Sequence, residues 1–253
     1  VFKILTTLEY YRENPSAYDQ YAFDCSGSIS VDGQTIHCAG NKHHGQETLK
    51  SSFSNSCNSS FANISLSLNR EKFKQTCDSM LFNQNLPIAF ESGKSSFSLN
   101  KNDSNAMAME TGIGQGKTLV SPLHMALIAS AVDHDGILMR PYLVAHIQND
   151  SGVEVSSNKP KTYATLMTET EVGLLRSICV QLLQMEREEN YPDSLMKLPA
   201  KQERRRYRTR RIRQMPGLWD MQRRMAIKIS QSQSLWRTVV RAVRTRFQLQ
   251  RTY

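Results

Sequence analysis

The sequence contains no run of about 18 apolar residues, so it offers no helix that would span a bilayer. Val1-Phe2-Lys3-Ile4-Leu5 lacks the charged start, apolar stretch and small-residue cleavage site of a signal peptide. Cysteine is sparse: Cys25, Cys38, Cys57, Cys77 and Cys179 fit no C-x2-C spacing, and an odd number cannot be fully paired within one chain. His37, His43 and His44 have no carboxylate or thiol at ligand spacing, so they are expected to be hydrogen-bonded structural histidines, and neither a metal nor a cofactor is expected. Gly116-Lys117-Thr118 lacks the glycine that a phosphate loop needs five positions before its final Gly; Thr111 stands there.

The last 53 residues lack acid. They hold 16 of the 32 Lys+Arg beside only Glu203 and Asp220, a net +14, whereas the first 200 residues carry 16 bases against 21 acids. The basic character therefore belongs to a segment, most densely to "LPAKQERRRYRTRRIRQ" (Leu198 to Gln214), and not to the whole protein. Read literally, that segment is a nucleic-acid-binding tail, neutralising phosphates and stacking bases on Tyr207, Trp219 and Trp236.

What is present reads as alternating short elements. Ile4, Leu5, Leu8 and Tyr11 share one helical stripe that Asn14-Pro15 ends. Asp32-Gly33 suits a two-residue hairpin turn that puts Ile29 opposite Ile36 and leaves Cys25 and Cys38 diagonally offset, where a disulfide is allowed but not implied. Leu49, Phe53, Cys57, Phe61 and Ile64 recur at steps of three and four, as in an amphipathic helix or a helix-turn-helix pair, and Glu71 to Leu81 continues helically. Asn83 to Asn105 reads as a polar surface loop with at most a short strand. Ser121-Pro122 is a cap followed by proline at the first helical position; Pro141 to Gln148 alternates as a strand; a last helix starts at Thr168 with Glu169 and Glu171 in its first turn.

One constellation carries chemistry. Ser56-Cys57-Asn58 is an S-x-N triplet, and Lys3 stands where the lysine of an S-x-x-K motif would be, at the head of a helix. With "FKILTTLEYY", "CSGSISVDGQTIHC", "HGQETLKSSFSNSCNSSFA" and "GIGQGKTLVSPLHMALIASAVDHDGILMRPYLV" in that order, the chain from Val1 to about Ser177 resembles the transpeptidase domain of class B penicillin-binding proteins, the cell-division or elongation type. The resemblance implies an α/β fold of the serine β-lactamase and penicillin-binding-protein kind, with a mainly antiparallel sheet beside a helical lobe. It also implies a D,D-transpeptidase of peptidoglycan cross-linking, an acyl-enzyme mechanism, and stem peptides and β-lactams as partners. Lys3 would then be the general base, Ser56 the proton relay towards the leaving amine and Asn58 a hydrogen-bond partner of the substrate backbone. Capping of a helix is the plainer reading of Ser56 and Asn58. The family works at the extracytoplasmic face of the bacterial plasma membrane, and its membrane anchor is not in this sequence.

The motifs depart from the family in two places. S-x-x-K spacing places its serine one position ahead of Val1, and K-T-G, due near residue 200, is replaced by Ala200-Lys201-Gln202-Glu203. Codons permitted for Leu198 to Tyr207, read one base out of step, spell AGKTGTAEV. The same shift turns Met215 to Gln222 into AWFVGYA and Val180 to Leu198 into AVTTDGTGRKLSGLADEA, all family-like and in family order. The expectation is a partial transpeptidase domain over 1-177, with the helical lobe retained and the C-terminal sheet strands lost, followed by an out-of-frame, poorly ordered basic stretch over 178-253. The alternative is a cationic nucleic-acid-binding protein acting through its arginine-rich tail.

Overall fold

The computed structural model describes residues 2–190 apart from Glu91, with 183–190 described as backbone helix only. The chain divides into two units, Val1–Leu182 and Leu183–Tyr253, and the fold below is that of the first. The arginine-rich stretch lies outside the described residues, as does all of 178-253 from residue 191 onward.

The apolar stripe near the start forms α1 (Lys3–Glu13), with Ile4, Leu5 and Leu8 buried. Asn14 closes it through its backbone N–H to the carbonyls of Tyr10 and Tyr11, and Pro15 cannot prolong the ladder. Four short strands follow: β1 (Ala22–Cys25), β2 (Ser28–Val31), β3 (Gln34–His37) and β4 (Gly45–Thr48). β2 and β3 form the expected antiparallel hairpin with Ile29 opposite Ile36. Asp32 and Gly33 take φ of 52° and 79°, the pair of positive values that a tight primed turn requires. β1 pairs with β4 antiparallel, bringing Cys25 opposite Gly45.

The next helical stretch is a pair, α2 (Leu49–Ser54) and α3 (Asn58–Ser67), broken at the S-x-N triplet. Thr48 and Ser51 cap α2 reciprocally, which satisfies two otherwise unpaired helix-end groups. α4 (Arg70–Ser79) is capped by the Asn69 side chain, and α5 (Asn105–Gly112) by Ser104. α3 and α5 approach so closely that a Cβ on Gly112 would stand 2.3 Å from the Cβ of Ser65; only glycine fits there. α6 (Pro122–Asp133) begins as expected, with Ser121 Oγ accepting from the His124 N–H at 3.2 Å and proline in the first turn.

The remaining elements are β5 (Ile137–Met139), β6 (His146–Gln148), β7 (Glu154–Ser157), β8 (Thr162–Thr165) and α7 (Glu169–Asn190). Thr168 and Glu171 cap α7 reciprocally, and its buried face, Val172, Leu175 and Ile178, continues one residue beyond Ser177. The core joins α1 and α3 to the aromatic cluster of Phe2, Phe73, Phe82 and Phe97, whose ring centroids lie 5.0 to 6.4 Å apart.

Two expectations need correction. Pro141 to Gln148 is not one strand: only His146–Gln148 pairs, because β5 ends at Met139 and Pro141 has no N–H to continue a ladder. The stretch from Asn83 to Asn105 is polar but not superficial. Ser95, Phe97 and Leu99 turn inward in alternation, and Ser96 bridges to Leu119, so the segment lies against the core as irregular extended chain. Among the described residues every sheet has two strands. The helical lobe is thus built and the strand content is low, as the resemblance implied for an incomplete domain.

Candidate functional site: a lysine cradle on the S-C-N turn

Phe2 already has helical dihedrals, so Lys3 sits on the first turn of α1 with its long side chain directed across to the α2–α3 junction. There Ser56 takes a left-handed φ of 50°, Cys57 caps α3 through its sulfur, and Asn58 is the first helical residue. The cap is therefore Cys57, and not Ser56 or Asn58. Lys3 Nζ donates to the Ser56 carbonyl at 2.7 Å, to Ser56 Oγ at 3.1 Å and to Asn58 Oδ1 at 2.8 Å. It stands 5.2 Å from the ring centroid of Phe61, a favourable cation–π position. Asn58 is pinned from its other end, its Nδ2 donating to the His37 carbonyl at 3.0 Å. The three residues that the two motifs singled out, 53 and 55 positions apart in sequence, thus meet in one hydrogen-bonded group around a lysine only 7% exposed. Such an arrangement can hold an amine rigidly beside a hydroxyl and pass a proton between them.

The fold also brings together residues that spacing alone did not. Cys25 ends β1, Cys38 follows β3, His44 precedes β4, and Cys57 caps α3. Their three sulfurs and the His44 ring nitrogen lie within 4.8 Å of one another, and His44 is hydrogen-bonded, as expected, with the Cys25 thiol as its partner. The sequence signal existed in three cysteines and a histidine, but their spacings are those of a hairpin and not of a metal knuckle. Cys25 and Cys38 are not joined: their sulfurs are 3.6 Å apart, and all five cysteines are free. Burial opposes the Cys25 thiolate, but hydrogen bonds from His44 and from the Gly27 backbone outweigh it and bring the thiol down to about 6. Burial pushes the Cys57 thiol up.

The described lobe is mixed α/β and carries a buried lysine on the first turn of α1, facing an S-x-N turn. The model of the penicillin binding protein transpeptidase domain matches residues 1–176, and the chain belongs to that family, as the class B resemblance implied. Penicillin-binding protein 3 of Bacillus subtilis is 31% identical over 99 residues, 39% of this chain and 15% of that protein. The peptidoglycan D,D-transpeptidase PbpA of Mycolicibacterium smegmatis is 29% identical over 114 residues, 45% of this chain and 23% of its own length. The chain thus spans under a quarter of the length of either of these two curated relatives. Among solved structures, the D,D-transpeptidase domain of a peptidoglycan glycosyltransferase from Eggerthella lenta superposes with a TM-score of 0.64 at 22% identity, over 72% of this chain and 47% of that one. Penicillin-binding protein A of M. tuberculosis, in an imipenem acyl-enzyme complex, gives 0.66 at 20% identity, over 75% and 44%. These likenesses show the fold. None of the comparisons supports the nucleic-acid-binding alternative.

Proposed function

We propose that the chain carries part of a penicillin-binding D,D-transpeptidase of peptidoglycan cross-linking, working by an acyl-enzyme on peptidoglycan stem peptides and trapped by β-lactams. The observation behind this reading is the Lys3–Ser56–Asn58 cradle. A serine three positions before Lys3 would lie on the same helical face, one turn away, where Lys3 in its neutral form, with one of its three donor contacts given up, would take its proton as the oxygen attacks the D-Ala-D-Ala carbonyl. Ser56, hydrogen-bonded to Lys3, relays that proton to the departing amine as the C–N bond breaks, and Asn58 holds the peptide backbone. The amine of a second stem peptide then attacks the ester; as the C–N bond forms and the C–O bond breaks, the amine's proton passes back to the serine oxygen and the serine is released. In this reading the domain works, like its family, at the extracytoplasmic face of the bacterial plasma membrane. Residues 178-253 fit this reading as an out-of-frame product of a base missing near the Ser177 codon.

Fluorescent penicillin labelling tests it. Residues 1–253 alone should give no covalent label, because the nucleophile and the K-T-G strand that aligns the β-lactam are both missing. Adding the upstream serine and restoring the frame near Ser177 should give label that survives denaturation, and Lys3→Ala should slow it by roughly 10²–10⁴-fold. No label on the restored chain would overturn the assignment, and label on the unaltered chain that unlabelled penicillin competes away would overturn the account of its nucleophile.

A further inference from the structure

We propose that Cys25, Cys38, His44 and Cys57 form a four-coordinate structural site for a zinc ion, a function separate from acyl transfer. A tetrahedral ion with Zn–S near 2.3 Å and Zn–N near 2.0 Å sets its ligand atoms about 3.8 Å apart for two sulfurs and about 3.5 Å apart for sulfur and nitrogen. The observed edges are 3.6 Å for Cys25–Cys38, 3.6 Å for Cys38–Cys57 and 3.4 Å for Cys25 Sγ–His44 Nδ1. A disulfide needs its sulfurs at about 2.05 Å, so these contacts are far too long for one. Pairing any two of the three would also strand the third as a buried thiol. Four closely gathered donors of the types zinc prefers, three of them on buried residues, match a closed Cys3His structural site.

The surroundings suit thiolate ligands. Ser59 Oγ lies 3.1 Å from Cys38 Sγ, the Ser60 N–H reaches Cys57 Sγ at 3.4 Å, and the positive end of α3 points at Cys57. On binding, three S–H bonds are exchanged for three Zn–S bonds, His44 Nδ1 gives its lone pair, and the thiol protons pass to solvent. The ligands come from four segments, so one ion would tie the β1–β4 ladder and the β2–β3 hairpin to the head of α3. Cys57 is also the middle residue of the S-C-N triplet. A metal on its sulfur would hold Ser56 and Asn58 on either side of it, which gives the site a reason to stand next to the cradle.

The test uses the full chain, purified under reducing conditions. Mass spectrometry of the native protein should find one zinc per chain. After chelation, Co2+ should restore one equivalent, with the intense visible bands and near-ultraviolet charge transfer of tetrahedral thiolate ligation. Zinc should protect Cys25, Cys38 and Cys57 from alkylation while leaving Cys179 reactive. Cys38→Ser and His44→Ala should lose stoichiometric binding, whereas Cys77→Ser and Cys179→Ser should keep it. Because binding and alkylation are read on the unmutated chain, a variant that fails to fold does not decide the outcome. No zinc or cobalt uptake by the reduced protein, octahedral cobalt spectra, or a Cys25–Cys38 disulfide in the native protein would overturn the proposal.

Discussion

The helical half and the β6–β7 arm use the same kinds of apolar residue to opposite ends. Leu5, Leu8, Phe61, Ile64 and Phe73 are at most 1% exposed, whereas Ile147, Val153 and Val155 are 56%, 59% and 67% exposed. The difference is in layering. Each helix presents one stripe to neighbours that close over it, while the arm is a two-stranded ladder whose residues are exposed on both faces, and such a ladder adds little stability by itself. Lys3, Ser56 and Asn58 stand in the covered half, where packing can hold a lysine to a fixed set of acceptors.

The sharpest way to break the contrast is Phe73→Ala. Phe73 is fully buried between Phe2 and Phe97, with ring centroids 6.4 and 5.0 Å away, so truncation should cost about 3–5 kcal/mol in chemical denaturation. A loss below about 1 kcal/mol would mean that the aromatic cluster is not the core.

Arg12→Ala comes next. Arg12 Nε meets Glu171 Oε1 at 2.6 Å and Arg12 Nη1 reaches Thr76 at 2.8 Å, tying α1 to α4 and to the first turn of α7. The arginine is partly exposed, so its loss should cost about 2 kcal/mol, less than for a fully buried pair. Burial works against the Glu171 carboxylate, yet Arg12 and the Thr168 N–H outweigh it and hold the group below its ordinary value. The stabilisation is therefore present above the ordinary carboxylate range and is lost as pH falls through the lower folded value. Arg12→Ala should flatten that acid limb; an unchanged limb would dissociate Glu171 from it.

What could be read from the sequence was what local chemistry fixes. Ser121-Pro122, Thr168 with Glu171, and Asp32-Gly33 each carry their instructions within four residues, and each occurs as expected. Lys3, Ser56 and Asn58 were found by motif, although nothing local brings them together; α1 and the α2–α3 turn do that. Phe97 and Leu99 were missed because their burial depends on distant helices and on Leu119, which no polar-loop pattern reveals. The thiol cluster was missed for the same reason. Its ligands are brought together by strand pairing, and the C-x2-C rule looks for ligands that are neighbours in sequence.

Glu9 makes an oppositely signed change within the covered half. Burial, with Glu13 nearby, pushes its carboxyl up to about 7 in spite of Thr76 and Arg12, and its Oε2 has no hydrogen-bond partner. The folded state therefore holds a proton that the unfolded state has released between about pH 4.5 and 7, and stability falls as pH rises through that window. Glu9→Gln removes the titration and should stabilise the protein at pH 8 by about 1–3 kcal/mol, with little effect at pH 4. An equal change at both pH values would show that Glu9 acts through packing alone.

The smallest effect belongs to the arm. Val155→Ser replaces a side chain that is 67% exposed on β7, so little apolar surface is returned to water and no cavity opens behind it. The hydroxyl is solvated in both folded and unfolded states, which leaves only the modest difference in strand preference between valine and serine. Stability should stay within about 0.5 kcal/mol of the unmutated chain. Set beside Phe73→Ala, this separates burial from residue type, since both substitutions delete apolar side chains and only one deletes contacts. A cost above about 1.5 kcal/mol for Val155→Ser would require β7 to be covered in solution, and the arm would then belong with the helical half.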